Sequence, residues 1–576
     1  MAHMTVEQAI ALALQHHQCG RLREAEHLYR QILAQQPDHF EALHNMGVLA
    51  HQVGRNDAAI DFLLRTVRIR PGDAQALGNL GNAYRGAGRL DDAIAAYHRA
   101  IALRPAMAEA QYNLAGALFE NKFPVEAAAA YRKAIERRPD FAEAHGNLGS
   151  VLCAQGDFDG AISALSRSIA IKPSAQAHTN LGSALQRTGR PLEAIESHRQ
   201  AIALAPGFAE AHNHLGTALN DAGRHAQAIA AFETAIALKL DFPQAHYNLS
   251  LALLAVGDFH QGWEEYEWRW KCDDFSTLPA QLKQPRWDGA ALEGRTLLLY
   301  CEQGFGDTIQ FVRYLPRLID RGGKIIVQCQ PELQRLLHRV DGLVADRCQI
   351  IARGSELPAF DVWSPVLSIP RALGAALESI PAPASYLSAE PDLLKRWHRR
   401  LGLDHRRLNV ALAWAGSPEF KTDLTRSITL DRLAALAKIA DVTFHSVQKG
   451  PAAAQAHDPP AGLQLIDLSP QLHDFADTSA VLSLMDLVIT TDTSVAHLAG
   501  ALGAPVWVML QFTPDWRWLL ERKDSPWYPS MQLFRQPALG DWESVVELVG
   551  KALAGFIKRR GGLGDSDHGP CPIGSC

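Results

Sequence analysis

The sequence predicts an α-solenoid followed by an α/β unit of two doubly wound lobes. Three observations carry that prediction. Prolines recur at positions 37, 71, 105, 139, 173 and 206, an almost constant step of about 34 residues. A glycine–alanine pair and an asparagine ride on the same period. After about residue 290 the period stops, and short apolar runs begin to alternate with helical stretches.

The repeat comes first in the chain. Glycines stand at 20, 54, 88, 156, 189, 223 and 257, and Lys122 fills the missing slot. Five residues after most of them comes an alanine: Ala25, Ala59, Ala93, Ala161, Ala194 and Ala228. A Gly-Ala-Pro skeleton with a period of about 34 residues is the signature of the tetratricopeptide repeat (TPR). Each unit is a helix hairpin. The glycine turns the chain, the alanine lets two helices approach closely, and the proline ends the second helix. One hairpin cannot bury its own apolar face, so hairpins stack. About eight units are expected over residues 5–275.

A ladder lies inside the repeat. Asn45, Asn79, Asn113, Asn147, Asn180 and Asn248 share one position on the first helix of their units, and His214 takes the same position in a seventh unit. Two readings stand. A carboxamide offers both donor and acceptor and so can clamp an extended polypeptide by its backbone. The same amides can instead cap or bridge neighbouring helices. The ladder resembles that of the TPR superhelix of O-GlcNAc transferase, in which such asparagines hold substrate polypeptide.

An aromatic patch, Trp263, Tyr266, Trp268 and Trp270, closes the repeat and reads as a packed junction rather than a ligand box. A connector, 276–293, leads to a first lobe at 294–395. There the strand Thr296–Tyr300 runs into Gly304-Phe305-Gly306-Asp307 and a helix from Thr308 to Arg321, followed by the strand 325–327. A second lobe, 396–540, starts with the strand Val410–Trp414 and continues with strands near 442–447, 463–466, 487–490 and 506–510. A helix at 541–560 is placed to cross back onto the first lobe. The glycine-rich stretch 561–576 is expected to be disordered. Two such lobes, with a cleft between strand carboxyl ends, describe the GT-B architecture of glycosyltransferases.

Three strand-to-helix turns carry polar groups. In the first, Gly304 and Gly306 permit tight backbone approach and Asp307 projects a carboxylate. Asp307 reads equally as a cleft base or as the N-cap of its helix. In the second, Ala415-Gly416-Ser417 is followed by Lys421, Arg426 and Ser427. A hydroxyl, turn amides and cations suit a diphosphate, although a solvated basic loop would read the same way. In the third, Asp492-Thr493-Ser494 opens a helix that carries His497, offering free amides to phosphate and a carboxylate to sugar hydroxyls.

Residues 294 to about 537 resemble the ADP-heptose:lipopolysaccharide heptosyltransferase superfamily, through Gly306-Asp307 and through Asp492-Thr493-Ser494 with His497. The resemblance implies Asp307 as general base and Ser417 with Arg426 or Lys421 as phosphate ligands. It implies Asp492, Thr493, Ser494 and His497 as the donor site. Ser446-Val447-Gln448-Lys449 is similar to the Gln-x-x-Lys donor region of O-GlcNAc transferase with altered spacing, which adds Gln448 and Lys449. Heptosyltransferases have no TPR arm, so their lipid-linked acceptor is not carried over. The fusion resembles bacterial TPR-glycosyltransferase proteins, some of which glycosylate flagellin.

Composition sets outer bounds. With 47% hydrophobic and 20% charged residues the chain reads as globular, and its net charge of -6 with no basic block argues against nucleic acid. No apolar run is long enough to span a bilayer. Eight cysteines lack zinc-ligand spacing and read as reduced thiols, so a cytoplasmic location is expected. No cofactor or metal is expected. The partners expected are a protein acceptor and a nucleotide sugar, with oligomers possible through the repeats. The function expected is an O-linked protein glycosyltransferase of the metal-independent, inverting GT-B type. The rivals are a TPR adaptor with an inert α/β half and an enzyme acting on a glycan or lipid.

Overall fold

The computed structural model describes residues 4–275, 282–302, 304–418 and 423–562. The chain divides into two compact units, Met1–Ala218 and Leu219–Cys576.

The first unit is built of helix hairpins, from Val6–Gln18 with Leu22–Gln35 to Ala175–Arg187 with Pro191–Leu204. Gly20, Gly54, Gly88, Gly156 and Gly189 turn the chain with φ between 73 and 80°. Lys122 adopts φ 67° in the slot that lacks a glycine. Ala25, Ala59, Ala93, Ala161 and Ala194 are fully buried between paired helices. The periodic prolines lie just past the second helices, whose last residues include Gln35, Ile69 and Leu103. Each expected role of the Gly-Ala-Pro skeleton is therefore met, and TPR hairpins run through roughly the first 260 residues.

The second unit opens on the remaining repeat helices, His225–Leu238, Pro243–Val256 and Phe259–Tyr266, and a 3-10 turn at Glu267–Lys271. The division falls inside the seventh hairpin and not at residue 275, because the last hairpin is packed into the α/β core. Phe259, Trp263 and Tyr266 share one buried cluster with Phe311, Trp516 and Trp527. Trp263 meets Phe311 and Trp516 edge-on, at 6.1 and 5.2 Å between ring centres. These two rings of the aromatic patch are packed, as a junction would be.

Ten strands follow among the described residues: β1 (Thr296–Tyr300), β2 (Lys324–Cys329), β3 (Cys348–Ala352), β4 (Val362–Pro365), β5 (Leu408–Ala413), β6 (Val442–Ser446), β7 (Leu465–Asp467), β8 (Leu487–Thr491), β9 (Val506–Leu510) and β10 (Met531–Arg535). They form two sheets, β3-β2-β1-β4 and β10-β9-β8-β5-β6-β7. Every pairing between these strands is parallel. Counted from its own first strand, the second sheet reads 6-5-4-1-2-3, the order of a doubly wound dinucleotide-binding sheet. Its strands alternate between two cores. Ala411 and Ala413 face the cluster shared with the first lobe, while Leu408, Val410 and Leu412 face the other side. That period of two is what a strand covered on both faces requires.

Two expectations need correction. The helix from Thr308 to Arg321 is broken into Phe305–Phe311, a 3-10 turn Val312–Tyr314 and Leu315–Ile319, where Pro316 removes a backbone donor. The C-terminal helix Trp542–Gly562 does not return to the first lobe. Its Trp542, Val545, Val546, Val549 and Leu553 fill the outer core of the second sheet. The described part of the connector is tied to the first sheet, since Trp287 N–H donates to the Trp363 carbonyl at 2.8 Å and continues the edge at β4. Residues 563–576 of the expected tail lie outside the described residues.

Candidate active site

In a doubly wound sheet, ligands bind outside the strand carboxyl ends where the strand order reverses. In the second sheet that point lies between β5 and β8. The turn Ala415-Gly416-Ser417 leaves β5 there, and Asp492-Thr493-Ser494 leaves β8. In the first sheet the order reverses between β1 and β4, and the Gly304–Asp307 turn leaves β1. All three turns singled out from sequence thus sit at switch points.

At the β5 turn, Gly416 N–H donates to the Ser427 hydroxyl at 2.9 Å, and that hydroxyl donates to Asp423 at 2.8 Å. Arg426 Nε donates to the same carboxylate at 3.2 Å. Arg426 lies over the turn: a β-carbon at Gly416 would stand 2.6 Å from its Nη2. A side chain there would push the Arg426 and Asp423 ends aside. Ser417 is half-buried beside it, and Lys421 falls outside the described residues.

At the β8 turn, Thr493 caps the helix Ser494–Ala501 by accepting from Val495 N–H at 3.3 Å. Asp492 is half-buried at the strand end. Burial raises its carboxyl above the ordinary range, the neighbouring Asp515 adds to the rise, and Arg426 opposes it. The Trp518 indole N–H is close to Asp492 but outside hydrogen-bonding geometry.

Asp307 is not an N-cap. Gly304 takes that position, and Asp307 stands at the third residue of the helix, where it accepts the Gly304 N–H at 3.1 Å. Its other oxygen is held by Arg517 Nη2, from the segment after β9. Arg517 also donates to Asp515 at 2.7 Å and to Gln310 at 2.7 Å. Burial raises the Asp307 carboxyl, Arg517 pulls it back, and Asp515 raises it again. A carboxylate so placed has a proton affinity above that of an ordinary aspartate and keeps a fixed orientation, both useful in a base.

A second arginine grips the same turn. Arg269 is fully buried and donates to Glu302 at 3.1 Å and to the Ser368 hydroxyl at 2.8 Å. Burial pushes Glu302 up to about 7, against the pull of Arg269. Arg269 and Arg517 each sit in the middle of a Trp-Arg-Trp triplet, 268–270 and 516–518, and both triplets form 3-10 turns. The turn after β1 is therefore held at Glu302 from the last repeat and at Asp307 from the second lobe. Sequence reasoning missed both arginines, although the repeated triplet was a signal: a cation between two tryptophans is placed to be buried.

Other candidates land elsewhere. Gln448 accepts from Trp414 and Ala415 N–H at 2.8 and 2.9 Å and donates to the Ala415 and Lys449 carbonyls, both at 2.8 Å. These bonds make it a brace of the β5 turn. Lys449 is tied to the carbonyls of Ser469 and Leu472, each at 3.0 Å. Gly306 packs closely on the second lobe, since a β-carbon there would stand 2.7 Å from His497 Cδ2. His497 is buried, and burial, with Arg517 and other arginines, holds its imidazole well below the usual range, so it brings no cation to a phosphate.

In the repeats the amides bridge. Asn79 meets His44 at 2.8 Å, Asn113 donates to Asn82 at 3.1 Å, Asn147 to the Tyr112 hydroxyl at 2.9 Å, and Asn180 to the Ser150 hydroxyl at 2.9 Å. Each partner lies on the first helix of the preceding unit. Asn45 donates to the Glu41 carbonyl of its own helix at 2.8 Å, and Asn248 accepts from Gln244 at 3.0 Å. His214 stacks on His198 at 5.7 Å, and burial lowers both rings. The six asparagines are all half-buried, so their carboxamides keep some exposure.

No helix among the described residues is long and apolar enough to cross a membrane. Residues 81–122 match the family described as TPR repeat, and residues 11–74, 124–176, 179–239 and 219–260 match that described as Tetratricopeptide repeat. TPR domains generally bind protein partners. Protein FlbA of Caulobacter vibrioides is similar at 26% identity over 328 residues, 53% of this chain and 54% of that protein. The chain thus spans about half the length of the curated relative it matches. Similar solved structures include YrrB, a TPR protein with an unusual peptide-binding site, at 22% identity over 32% of this chain and 95% of that one, TM-score 0.29. They also include MamA of Desulfovibrio magneticus RS-1, at 23% over 29% and 95%, TM-score 0.28.

Proposed function

We propose that the chain is a protein glycosyltransferase of GT-B type, moving a sugar from a nucleotide-sugar donor to a Ser or Thr of a polypeptide held by its repeats. Flagellin is the acceptor that the resemblance to bacterial TPR-glycosyltransferases suggests. The observation that carries the reading is the convergence of three polar turns at the switch points of two parallel sheets, with Asp307 of the first lobe bonded to Arg517 of the second. Arg426, the Ser417 hydroxyl and the amides opening Ser494–Ala501 would hold and neutralise the diphosphate. Asp307 would take the proton of the attacking hydroxyl, and the hydroxyl oxygen would displace the nucleoside diphosphate with inversion.

The test begins with thermal shifts in UDP, ADP, GDP and CMP, where ligand at 100 times its Kd should stabilise by about 2.7 kcal/mol. The nucleotide that stabilises then identifies the donor class for transfer assays on co-expressed proteins. Asp307→Asn should slow transfer by about 10²–10⁴-fold while leaving nucleotide binding in place. A full-rate variant would remove Asp307 as the base. No stabilisation by any nucleotide, and no transfer, would favour the adaptor.

A further inference from the structure

His497 sits in the helix Ser494–Ala501, which packs on Phe305–Phe311 of the first lobe. Its ring is enclosed. Trp518 stacks on one face at 5.2 Å between centres, Tyr528 meets it at 5.8 Å, and the bare backbone of Gly306 closes on Cδ2. Nδ1 lies 2.9 Å from the Tyr528 hydroxyl, and Nε2 has no protein partner among the described residues.

Which nitrogen holds the proton is decided by the bonds around it. Tyr528 is buried, and His497 Nδ1 is the one hydrogen-bond partner of its hydroxyl among the described residues. Arg313 lies over the Tyr528 ring at 4.6 Å, and a guanidinium has donors only. The Tyr386 hydroxyl is the other polar group near it and adds to the rise that burial gives the Tyr528 hydroxyl. It already donates to the Ile309 carbonyl at 2.9 Å and accepts from Arg313 at 3.0 Å. Were Nδ1 protonated, the Tyr528 O–H would lose its 2.9 Å acceptor and would have to turn to the Tyr386 hydroxyl, which already accepts from Arg313, a penalised arrangement. A doubly protonated ring is opposed by its burial and by Arg517, Arg313 and Arg426.

We propose that Tyr528 is a positioning residue that locks His497 as the tautomer accepting at Nδ1 and carrying its proton on Nε2. Resting on the transferase reading, the consequence is that His497 gives one neutral N–H to an oxygen of the donor diphosphate. It does not act as the base for the acceptor hydroxyl, because Nδ1 is occupied and Nε2 already bears hydrogen. Neutralising the diphosphate then falls to Arg426.

The test uses the full chain, ligand-free and labelled with ¹⁵N at histidine, in long-range ¹H–¹⁵N spectra. His497 is assigned by difference from His497→Gln. The expected wild-type signal has a proton on Nε2 and a hydrogen-bonded, unprotonated Nδ1, unchanged from about pH 6 to 8 where free imidazole titrates. Tyr528→Phe should erase the hydrogen-bond signature at Nδ1 and bring mixed tautomers. A wild-type ring protonated at Nδ1, an imidazolium at neutral pH, or a Tyr528→Phe spectrum identical to wild type would overturn the proposal. If Tyr528→Phe does not fold, the wild-type spectrum decides alone. The spectra require no sugar transfer, so a protein that fails every transfer assay would sink the transferase reading without touching the tautomer.

Discussion

The unit Met1–Ala218 and the rest of the chain place their arginines differently. In the first unit, Arg55 pairs with Glu26, Arg138 with Glu109 and Lys172 with Glu143, each across 29 residues and each at the surface. These pairs tie one repeat to the next and recur with the repeat. In the second unit the guanidiniums of Arg269, Arg313 and Arg517 are buried. Arg313 reaches the Trp527 carbonyl 214 residues away, and Arg517 reaches Asp307 across 210. A stack of repeats is stabilised by neighbours, so its ionic contacts can stay wet. Two sheets far apart in sequence need cross-links of long reach, and there the cations are dry.

The comparison is broken or sharpened first at Arg269. Arg269→Met should destabilise the second unit by about 3–5 kcal/mol, because Glu302 is left as a buried charge without its main partner. Lys172→Met in the first unit should cost no more than about 1 kcal/mol. The pH dependence follows from Glu302, whose carboxyl stands near 7 instead of 4.5. A raised carboxyl favours the fold below its ordinary value and loses that contribution as pH rises through the folded one. The deficit of Arg269→Met should therefore be small below about 7, where Glu302 is neutral in both proteins, and grow as pH rises past that value, where the wild-type carboxylate has a partner and the variant's does not. Calorimetric scans across that range measure it, and an equal deficit at every pH would show that Glu302 is not the group left exposed to the change.

Arg426 stands between the two patterns, since its side chain is partly open and lies over a turn. Arg426→Ala should weaken nucleoside diphosphate binding by about 1.5–3 kcal/mol, the range for a bond to a charged group. Global stability should change by less than that. Titration calorimetry at wild-type affinity would shift the phosphate role to Lys421 and return Arg426 to bracing Asp423.

The same contrast explains what the sequence made legible. A period repeated many times averages out noise, so the hairpins, their glycines and the buried alanines could be placed residue by residue. Apolar strands such as β5 and β9 were also visible, being continuous buried runs. The short edge strands β3 and β4 carry polar residues and were missed, as was β10, whose partners are set by tertiary pairing. Within the site, the three turns were found because glycine, aspartate and hydroxyl residues cluster at strand ends. Arg517 and Tyr528 were not, because a single residue reaching over a long chain distance leaves no local pattern. Gln448 shows the converse: its segment resembled a donor region with altered spacing, while the four bonds it makes are all internal.

A smaller effect tests the ladder. Asn147 donates to the Tyr112 hydroxyl of the preceding unit, so Asn147→Ala should cost about 0.5–1.5 kcal/mol of stability. If the carboxamides also hold polypeptide, the alanine variant should in addition bind acceptor protein more weakly, with nucleotide affinity unchanged. Lost stability with full acceptor binding would leave the ladder as a bridge between helices and nothing more.

The smallest expected effect lies at the one turn that breaks the period. Lys122 holds φ 67°, where the other units use glycine at 72–90°. An L-residue there pays roughly 1–2 kcal/mol for its β-carbon. Lys122→Gly removes that strain but enlarges the freedom of the unfolded chain, a penalty of about 0.5–1 kcal/mol. The net expectation is a gain of about 0.5 kcal/mol. It is read as a slightly higher denaturation midpoint with an unchanged slope. Gly88→Ala is the mirror experiment. Nothing lies within 4 Å of the β-carbon it would add, so any loss reports φ 74° alone and not a clash. If both substitutions leave the midpoint where it was, the turn glycines are not what sets the stability of a hairpin, and the neighbour contacts between repeats alone would have to carry the first unit.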